Sequence, residues 1–383
     1  MPELSRSVLH AFERNFRDRG ELGASVSIYV GEKEVVHLAH GHANRERTRP
    51  WTAETLVPVW SATKGPAAVA AMLALDEAML PLESPVCEVW PRFAGAGKEG
   101  VSFLHVLTHT AGLCALDQAV PIHDYHAVVG AIEQQSPIFP PGTRQAYHAR
   151  TFGFLLDEIV QRITGASSLG EYFNQRIAEP MRLDFWIGLP QQLLPHVATL
   201  YPGKVRVGSS PDPFLQAYNT RGTLTQRAFA SPAGLAGVQD LNQAETLTRG
   251  YASMGGVGTA RSLAAFYAML ANHGWWGGQK LVSEWIIQAM ETTYSQQDDG
   301  VLCTPMAFGA GVMRDPLDAF GGKLRKLFGS SYSAFGHPGA GGSHAFADPE
   351  RNVSFAYVMN QMELGALPND KTLSLVEAMD SAV

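Results

Sequence analysis

Apolar and polar residues near the start of the chain recur at spacings that predict a helix and two strands. Residues 1–20 carry apolar positions at helical spacing on an otherwise charged segment, which indicates an amphipathic helix. Two β-rich segments follow at residues 24–30 and 34–42, and the tripeptide Gly31-Glu32-Lys33 between them is typical of a hairpin turn. An alanine-rich apolar run at residues 67–80 then predicts a further helix.

The rest of the chain changes from helical to strand-like patterns. Helices are predicted at residues 101–109, 125–135, 151–164, 259–273 and 283–292. Residues 191–245 show no clear periodicity, and a loop of that length in a compact protein usually forms a lid or wall at a functional site. Strands are predicted at residues 308–313, 333–337, 343–348 and 353–360, followed by a closing helix at residues 373–379.

This distribution of elements predicts an α/β protein of the α+β kind. Strands at both chain ends around a helical middle favour one antiparallel sheet that is built from both ends and flanked by helices. We therefore expect residues 1–60 and 303–383 to form a sheet domain and residues 61–302 to form a mainly helical domain inserted in it. The active site is expected in the cleft between the two.

The composition excludes several classes of protein. The chain has 383 residues, of which 45% are hydrophobic and 17% charged, and its net charge of −7 includes no basic cluster that could bind nucleic acid. No apolar stretch is long enough for a membrane span, and residues 1–20 lack the apolar core of an export signal. We expect a cytoplasmic protein whose three cysteines (Cys87, Cys114 and Cys303) are reduced and bind no metal.

The candidate chemistry starts at Ser61-Ala62-Thr63-Lys64. A serine and a lysine three residues apart share one helix face, and a hydroxyl at the start of a helix meets unpaired backbone N–H groups. The lysine beside it can take the serine's proton or keep a neighbouring group charged. Because proline is tolerated only in the first helical turn, Pro66 means that the helix starts after Ser61 or has a distorted first turn.

Two further segments complete a candidate site for an active serine. Tyr147 lies on a loop between a Pro-Pro-Gly turn and a predicted helix, and a nearby ammonium would favour its phenolate form. Residues 335–343 read as an edge strand that runs into glycines, which let a backbone approach a bound acyl group closely. The N–H groups of Ala340 and Ser61 are candidates for an oxyanion hole.

Together these motifs resemble the serine β-lactamase and penicillin-binding-protein-like family, especially its class C-like carboxylesterase branch (family VIII esterases). The matching segments are Ser61 to Lys64, the Leu-Thr-His-Thr-Ala-Gly-Leu ending of residues 101–113, Pro141-Gly142-Thr143-Arg144 through Tyr147, and His337-Pro338-Gly339 with its glycines. The resemblance spans about residues 24–360 and implies a β-lactamase-like fold. No Gly-x-Ser-x-Gly motif occurs, which argues against an α/β-hydrolase.

The resemblance implies roles for individual residues. Ser61 is the expected nucleophile, Lys64 and Tyr147 are expected to share the base role, and Ser61 and Ala340 are expected to supply the oxyanion N–H groups. Which of Lys64 and Tyr147 takes the proton stays open. His109 and His148 are expected to be structural. No cofactor and no metal are implied.

The same resemblance assigns the substrate-binding positions, where the chain departs from penicillin-directed relatives. His337 stands where those relatives keep a lysine that helps to hold a substrate carboxylate, and a mostly neutral imidazole does this less well. Ala149 replaces an Asn or Ser that helps to bind substrate amides. Gly339 and Trp186 are further candidates for contact with the substrate. These departures favour esters over lactams.

The sequence therefore predicts a serine carboxylesterase that hydrolyses small esters through an acyl-enzyme, with weak β-lactamase activity as a compatible side reaction. Its alternatives are a β-lactamase or D-amino-acid peptidase, an acyltransferase, and a non-catalytic penicillin-binding-like sensor. The expected partner is a small ester, lactam or amide, with no nucleic acid and no membrane. The physiological substrate, the acyl-chain length and the oligomeric state stay open.

Overall fold

The computed structural model describes residues 2–204 and 212–382, which contain the following strands and helices. The strands are β1 Gly23–Val30, β2 Lys33–Gly41, β3 Val57–Pro58, β4 Phe185–Ile187, β5 Gly256–Gly258, β6 Trp275–Trp276, β7 Gln279–Lys280, β8 Ser295–Asp298, β9 Pro305–Gly309, β10 Val312–Arg314, β11 Phe335–Pro338, β12 His344–Asp348 and β13 Val353–Met359. The α-helices are α1 Pro2–Asp18, α2 Lys64–Glu77, α3 Phe103–Leu107, α4 Tyr125–Gln134, α5 Thr151–Thr164, α6 Leu169–Phe173, α7 Glu179–Met181, α8 Pro213–Asn219, α9 Leu224–Ala230, α10 Val238–Leu241, α11 Ala244–Arg249, α12 Ala260–Ala271, α13 Glu284–Glu291 and α14 Asp370–Asp380.

Eight of these strands form one antiparallel sheet in the order β2-β1-β13-β12-β11-β10-β9-β8. The first strand pairs with the last: Val26 in β1 lies opposite Leu38 on one side and opposite Tyr357 on the other. The predicted sheet built from both chain ends is therefore confirmed.

Helices cover the centre of this sheet. Helix α12 packs against β1, β12 and β13, while α1 packs against α14 and β2. Every residue of β13 is buried, which requires cover on both faces of the sheet because strand side chains alternate between faces. The centre of the sheet is thus an internal layer of the molecule, while its edge strands β2 and β8 are partly exposed.

The predicted boundary at residue 303 does not match the sheet. Strand β8 begins at Ser295 and pairs with β9, and α12, which lies still earlier in the chain, packs directly on the sheet. Strand pairing and packing are settled in space, so a change of sequence pattern near residue 303 does not mark where the sheet begins. The division of the chain into two domains stays a prediction.

Helix α2 is the central helix of the molecule and the one that follows Ser61. Its residues from Lys64 to Leu75 are all buried, as expected for a helix that is apolar all round. Ser61–Thr63 form a 3₁₀ turn before the α-helix starts at Lys64. Pro66 is therefore the third helical residue, where its missing N–H costs no hydrogen bond.

Two predicted elements differ from the structure. Residues 308–313 were expected as one strand, but β9 and β10 form a hairpin that turns at Ala310-Gly311, where Gly311 has a φ of 72°. The stretch at residues 191–245, expected to be irregular, contains α8, α9, α10 and the start of α11, while residues 205–211 lie outside the described residues. Helices this short have only one or two turns, so their apolar residues repeat too few times for a periodicity to be recognised in the sequence.

Within residues 2–204 and 212–382, no helix is both long and apolar enough to cross a membrane. The same ranges contain no cluster of three or more histidine, cysteine, aspartate or glutamate side chains that could hold a metal ion. Cys87, Cys114 and Cys303 are free thiols, and Cys114 is buried.

Candidate active site

A strained turn carries Ser61 from β3 into α2. Trp60 has a φ of 51° and a ψ of −132°, a conformation that a residue with a side chain rarely adopts. The 3₁₀ turn that follows places half-buried Ser61 at the start of the helical segment. This position puts the Ser61 hydroxyl next to the N-terminal end of α2, towards which free backbone N–H groups point.

Lys64 lies one turn beyond Ser61 and is fully buried. Its Nζ lies 3.3 Å from Ser61 Oγ and donates to the carbonyl oxygens of Ala149, at 3.0 Å, and Ser253, at 2.8 Å. Burial lowers the pKa of Lys64 well below its ordinary value, because the ammonium loses its hydration. The amine is therefore poised to be neutral next to the Ser61 hydroxyl.

The structure brings Tyr147 to the same place. Its ring lies 4.7 Å from Lys64 Nζ, and its hydroxyl forms a hydrogen bond with Ser61. Burial raises the pKa of Tyr147 above its ordinary value, and the hydrogen bond with Ser61 only partly opposes this. The expectation that an ammonium favours the Tyr147 phenolate is therefore wrong, since burial pushes both side chains towards their neutral forms.

Asp299 is a buried residue that the sequence analysis missed, and it holds the Tyr147 loop in place. Its Oδ1 accepts the backbone N–H of Tyr147 at 3.1 Å, of Val301 at 2.9 Å and of Leu302 at 2.8 Å. Burial raises the pKa of Asp299, and these N–H groups act in the opposite direction. No local motif links Asp299 to a loop 152 residues away, so only the fold could have found it.

Two buried histidines support the same loop. The backbone N–H of His148 donates to His109 Nδ1 at 3.1 Å, while His148 Nε2 accepts the backbone N–H of Leu113 at 3.1 Å. His148 Nδ1 donates to the carbonyl oxygen of Ala146 at 2.8 Å. Burial lowers the pKa of His148 to about 4 and that of His109 well below its ordinary value. Both are neutral parts of the scaffold, in keeping with the structural roles expected for them.

His337 lies beneath the site rather than at its surface. It is 1% exposed, its Nδ1 donates to the carbonyl oxygen of Pro338 at 2.8 Å, and its ring lies 5.9 Å from the Tyr147 ring. Burial lowers the pKa of His337 well below its ordinary value. The side chain packs near the Tyr147 ring, and contact between His337 and substrate stays a prediction.

Gly339 serves close packing of the backbone next to Ser61. A Cβ atom at this position would lie 2.1 Å from the carbonyl oxygen of Val59, two residues before Ser61. The glycine was expected to let the backbone approach an acyl group, but what it approaches is the end of the segment that carries the serine. Ala340, the next residue, borders the same cavity as Ser61, as the oxyanion-hole interpretation requires.

Trp186 lies away from the site. It sits in β4, opposite Val257 in β5, and packs against a small apolar cluster that includes Leu189 and Val197. It is absent from the described lining of the cavity at Ser61. These contacts are those of a partly buried packing residue, and the role of Trp186 as a pocket wall stays a prediction.

A mostly apolar cavity of about 220 Å³ opens beside Ser61 and Ala340. Much of its wall comes from the stretch for which the sequence showed no periodicity. The rings of Phe214, Tyr218 and Phe229 lie 5.5 to 5.9 Å from one another in this wall. Ser61 therefore faces a space suited to an apolar group of several carbon atoms.

Arg150 connects this wall to the loop that carries Tyr147. It is 8% exposed, and its guanidinium donates to the carbonyl oxygens of Pro232 and Leu235, each at 2.5 Å. Its own carbonyl oxygen accepts the Ser253 hydroxyl at 3.1 Å. Arg150 thus connects three parts of the site: the Tyr147 segment, Ser253, which accepts a hydrogen bond from Lys64, and the cavity wall. The sequence did not predict this role.

Comparisons with known proteins agree with this geometry. The protein-family model named Beta-lactamase matches residues 10–378. The chain belongs to the beta-lactamase family. A relative in this family, "Esterase/beta-lactamase LipL" of Mycobacterium tuberculosis (strain ATCC 25618 / H37Rv), is 30% identical over 362 residues, which cover 93% of this chain and 81% of the relative.

Solved structures of family relatives match the whole fold. A family VIII carboxylesterase superposes with a TM-score of 0.89 at 31% identity, covering 100% of this chain and 98% of that one. A penicillin-binding-protein homologue from Caulobacter crescentus gives a TM-score of 0.88 at 33% identity, covering 99% and 98%. The beta-lactamase-like fold and the family resemblance are thereby confirmed, and the chain is a serine hydrolase.

Proposed function

We propose that this serine hydrolase is a carboxylesterase that cleaves small carboxylic esters through an acyl-enzyme on Ser61. The observation that carries the proposal is the position of Ser61 Oγ, 3.3 Å from Lys64 Nζ and at the edge of an apolar cavity of about 220 Å³. At roughly 30 Å³ for a group the size of a water molecule, that volume has room for about seven such groups. The cavity suits a short or medium acyl chain, or an aromatic one.

The contacts of Lys64 favour it as the base. A neutral amine has two N–H groups and one lone pair, and the carbonyl oxygens of Ala149 and Ser253 occupy both N–H groups. The lone pair is then left for the proton of Ser61. A buried phenol with a raised pKa is a poorer acceptor, so Tyr147 is assigned the transfer of the proton onward.

The proposed reaction has two steps. Ser61 Oγ forms a bond to the ester carbonyl carbon while its proton passes to Lys64 Nζ. When the carbon–oxygen ester bond breaks, Tyr147 gives a proton to the departing alcohol and is reprotonated from Lys64. Water then attacks the acyl-enzyme by the same route in reverse and releases the acid. The N–H groups of Ser61 and Ala340 are the proposed donors to the carbonyl oxygen as it becomes negative.

The same structure supports esters over lactams. Penicillin-type substrates carry a carboxylate, and the His337 imidazole that replaces the family's lysine is buried and neutral. Ala149 offers no side-chain amide to bind substrate. A deep second pocket from residues 191–245 would have favoured an acyltransferase, but the described part of that stretch lines the Ser61 cavity itself. β-Lactamase activity stays the second candidate, because LipL is named for both activities.

The first test is hydrolysis of p-nitrophenyl butyrate and nitrocefin by the wild type and by Ser61→Ala. We expect ester turnover that falls at least about 10³-fold in the variant, since the nucleophile is lost, and little cleavage of nitrocefin. Ser381→Ala, a change at an exposed serine near the C-terminal end of α14, is the matched control. Faster turnover of nitrocefin than of the ester would put the lactamase first. Equal ester turnover in Ser61→Ala would refute the proposed nucleophile.

A further inference from the structure

A second cavity, of about 290 Å³, lies beside α5 and shares no lining residue with the cavity at Ser61. It is lined by residues of α4, of α5 and of the loop at residues 250–253, together with Ile122, His123, Ser167, Ser168 and Arg249. That loop continues into Met254, which borders the Ser61 cavity. The two cavities are therefore separate spaces with one loop between them.

Aromatic rings form one wall of this second cavity. Tyr125, Phe154 and Tyr251 follow one another with ring centroids 5.9 Å and 6.1 Å apart. The hydroxyl of Tyr251 pairs with His123 Nδ1 at 2.6 Å, and His123 also lines the cavity. Aromatic faces in a row present negative π-surfaces, which attract cations.

A carboxylate lies in the same cavity. Asp157 is one turn beyond Phe154 on α5, and its Oδ1 accepts the Leu169 N–H at the start of α6. Within residues 2–204 and 212–382, none of the ion pairs found joins Asp157 to a basic side chain. Burial raises the pKa of Asp157 to about 6, so the group is mainly ionised at neutral pH.

Arg249 also lines this cavity, but its guanidinium is already engaged. It pairs with Glu245 at 3.1 Å and donates to the carbonyl oxygen of His123 at 2.5 Å. Its charge is therefore offset by Glu245, and none of the ion pairs found within residues 2–204 and 212–382 joins it to Asp157. A partly buried carboxylate next to aromatic faces is the chemistry that binds organic ammonium groups.

A residue in the wall of this cavity accepts a hydrogen bond from Lys64, the proposed base. Ser253 lines the cavity, and its carbonyl oxygen accepts a hydrogen bond from Lys64 Nζ at 2.8 Å. Helix α5 presses on this loop at Gly153, where a Cβ atom would lie 2.5 Å from Ser253 N. A molecule that fills the cavity must therefore touch the segment that orients Lys64.

We propose that the second cavity binds a small organic cation, an ammonium group with an apolar or aromatic substituent, between Asp157 and the rings of Tyr125, Phe154 and Tyr251. Occupancy shifts Ser253 and with it Lys64, so the bound cation changes the turnover number of the enzyme. Binding of the cation does not depend on the esterase proposal. The effect on turnover does, and it rests on that proposed function.

The binding test uses benzyltrimethylammonium, which cannot act as an acyl acceptor, titrated into the intact protein by calorimetry. Benzyl alcohol is the uncharged comparison. We expect the cation to bind at least about tenfold more tightly than the alcohol and to lose about tenfold in affinity in Asp157→Asn. The amide in Asp157→Asn still accepts the Leu169 N–H, so the start of α6 is kept. Equal affinity for the wild type and the variant, or no binding, would overturn the proposal.

Asp124→Asn is the matched control, because Asp124 also accepts a backbone N–H at the start of a helix, at Ala127, but does not line the cavity. Its affinity for the cation should equal that of the wild type. In ester hydrolysis, the cation should change kcat in the wild type and in Asp124→Asn but not in Asp157→Asn. Purely competitive inhibition would place the cation in the Ser61 cavity and refute the second site. Absence of ester turnover would count against the esterase proposal alone, since calorimetry still decides the binding.

Discussion

Burial sets the chemistry of the two side chains nearest Ser61. Lys64 and Tyr147 would stabilise each other as ammonium and phenolate if they were solvated, yet both are almost completely inaccessible. Loss of hydration penalises either charge, so the pKa of Lys64 falls and that of Tyr147 rises. A neutral amine and a neutral phenol can still pass a proton along, because the lone pair of Lys64 can accept a proton and the hydroxyl of Tyr147 can both donate and accept one.

At this scale we predict that Tyr147→Phe keeps the fold and loses the proton transfer. The phenyl ring preserves the contacts with His109 and Phe308, so the free energy of unfolding should change by less than about 1 kcal/mol. The hydroxyl that meets Ser61 is lost, and kcat should fall by about 10² to 10⁴. Urea unfolding and steady-state kinetics on p-nitrophenyl butyrate measure the two quantities. A loss of kcat below about tenfold would leave Lys64 to transfer the proton without Tyr147.

The candidate residues of the site could be identified from the sequence, but their contacts in the folded protein could not. The spacing from Ser61 to Lys64 follows from helix geometry and needs no fold to be read. His337, Gly339 and Trp186 were expected near substrate. The structure shows contacts that the sequence did not predict: His337 packs near the Tyr147 ring, Gly339 lies close to the Val59 carbonyl and Trp186 packs on a small apolar cluster. Which face of a strand or turn meets the cavity depends on how the sheet is placed, and no local pattern records that.

Among the elements, α5 packs closely on the loop at residues 250–254, which accepts a hydrogen bond from Lys64 through Ser253. Gly153 in α5 lies against the backbone of Ala252 and Ser253. Glycine is used here for close approach, since a side chain would separate the helix from the loop. The position of Lys64 Nζ thus depends on the packing of an element that contributes no catalytic side chain.

We predict that Gly153→Ala moves this loop and impairs catalysis. The added Cβ would lie 2.5 Å from Ser253 N, so the variant should lose about 1 to 3 kcal/mol of unfolding free energy and at least tenfold in kcat. Gly130→Ala in α4 is the control, because no atom lies within 4 Å of its added Cβ, and it should gain up to about 1 kcal/mol. Urea unfolding and ester kinetics test both variants. Wild-type kcat in Gly153→Ala would show that the contact does not position Lys64.

Across the whole molecule, several histidines are buried in neutral form. Burial lowers the pKa of His148 and of His344 to about 4, below the ordinary value of 6.5. Between these values the unfolded chain binds protons that the folded protein does not, so stability decreases as the pH falls from about 6.5 towards 4. Glu21 and Asp315 act in the opposite direction, because burial raises the pKa of each carboxyl and the folded protein then takes up protons more readily.

We predict that His148→Gln reduces the dependence of stability on pH. Removing one group that is protonated near pH 5 in the unfolded chain but mostly not in the folded protein should lower the slope of unfolding free energy against pH by about 1 kcal/mol per pH unit near pH 5. His10→Gln, a change at an exposed histidine of α1, should leave the slope unchanged. Urea unfolding at a series of pH values measures it. Equal slopes for the wild type and His148→Gln would mean that His148 is protonated alike in both states.

The sequence alone determined what depends on neighbours along the chain. The β1–β2 hairpin, helices such as α5 and the Ser61–Lys64 spacing follow from local periodicity and turn residues, and the family motifs were recognised directly in the sequence. A sheet built from both chain ends was also predicted, because strands at both ends of a chain with a helical middle have few other partners, but the pairing of β1 with β13 was not.

The tertiary structure decided everything that joins distant residues. Asp299 and Tyr147 lie 152 positions apart, and Lys64 meets Ser253 across 189. The same packing removes water from Lys64 and Tyr147, which favours the neutral form of each side chain. It also forms part of the cavity wall from α8 and α9. Desolvation and cavity shape are properties of a folded volume, and local sequence patterns do not encode them.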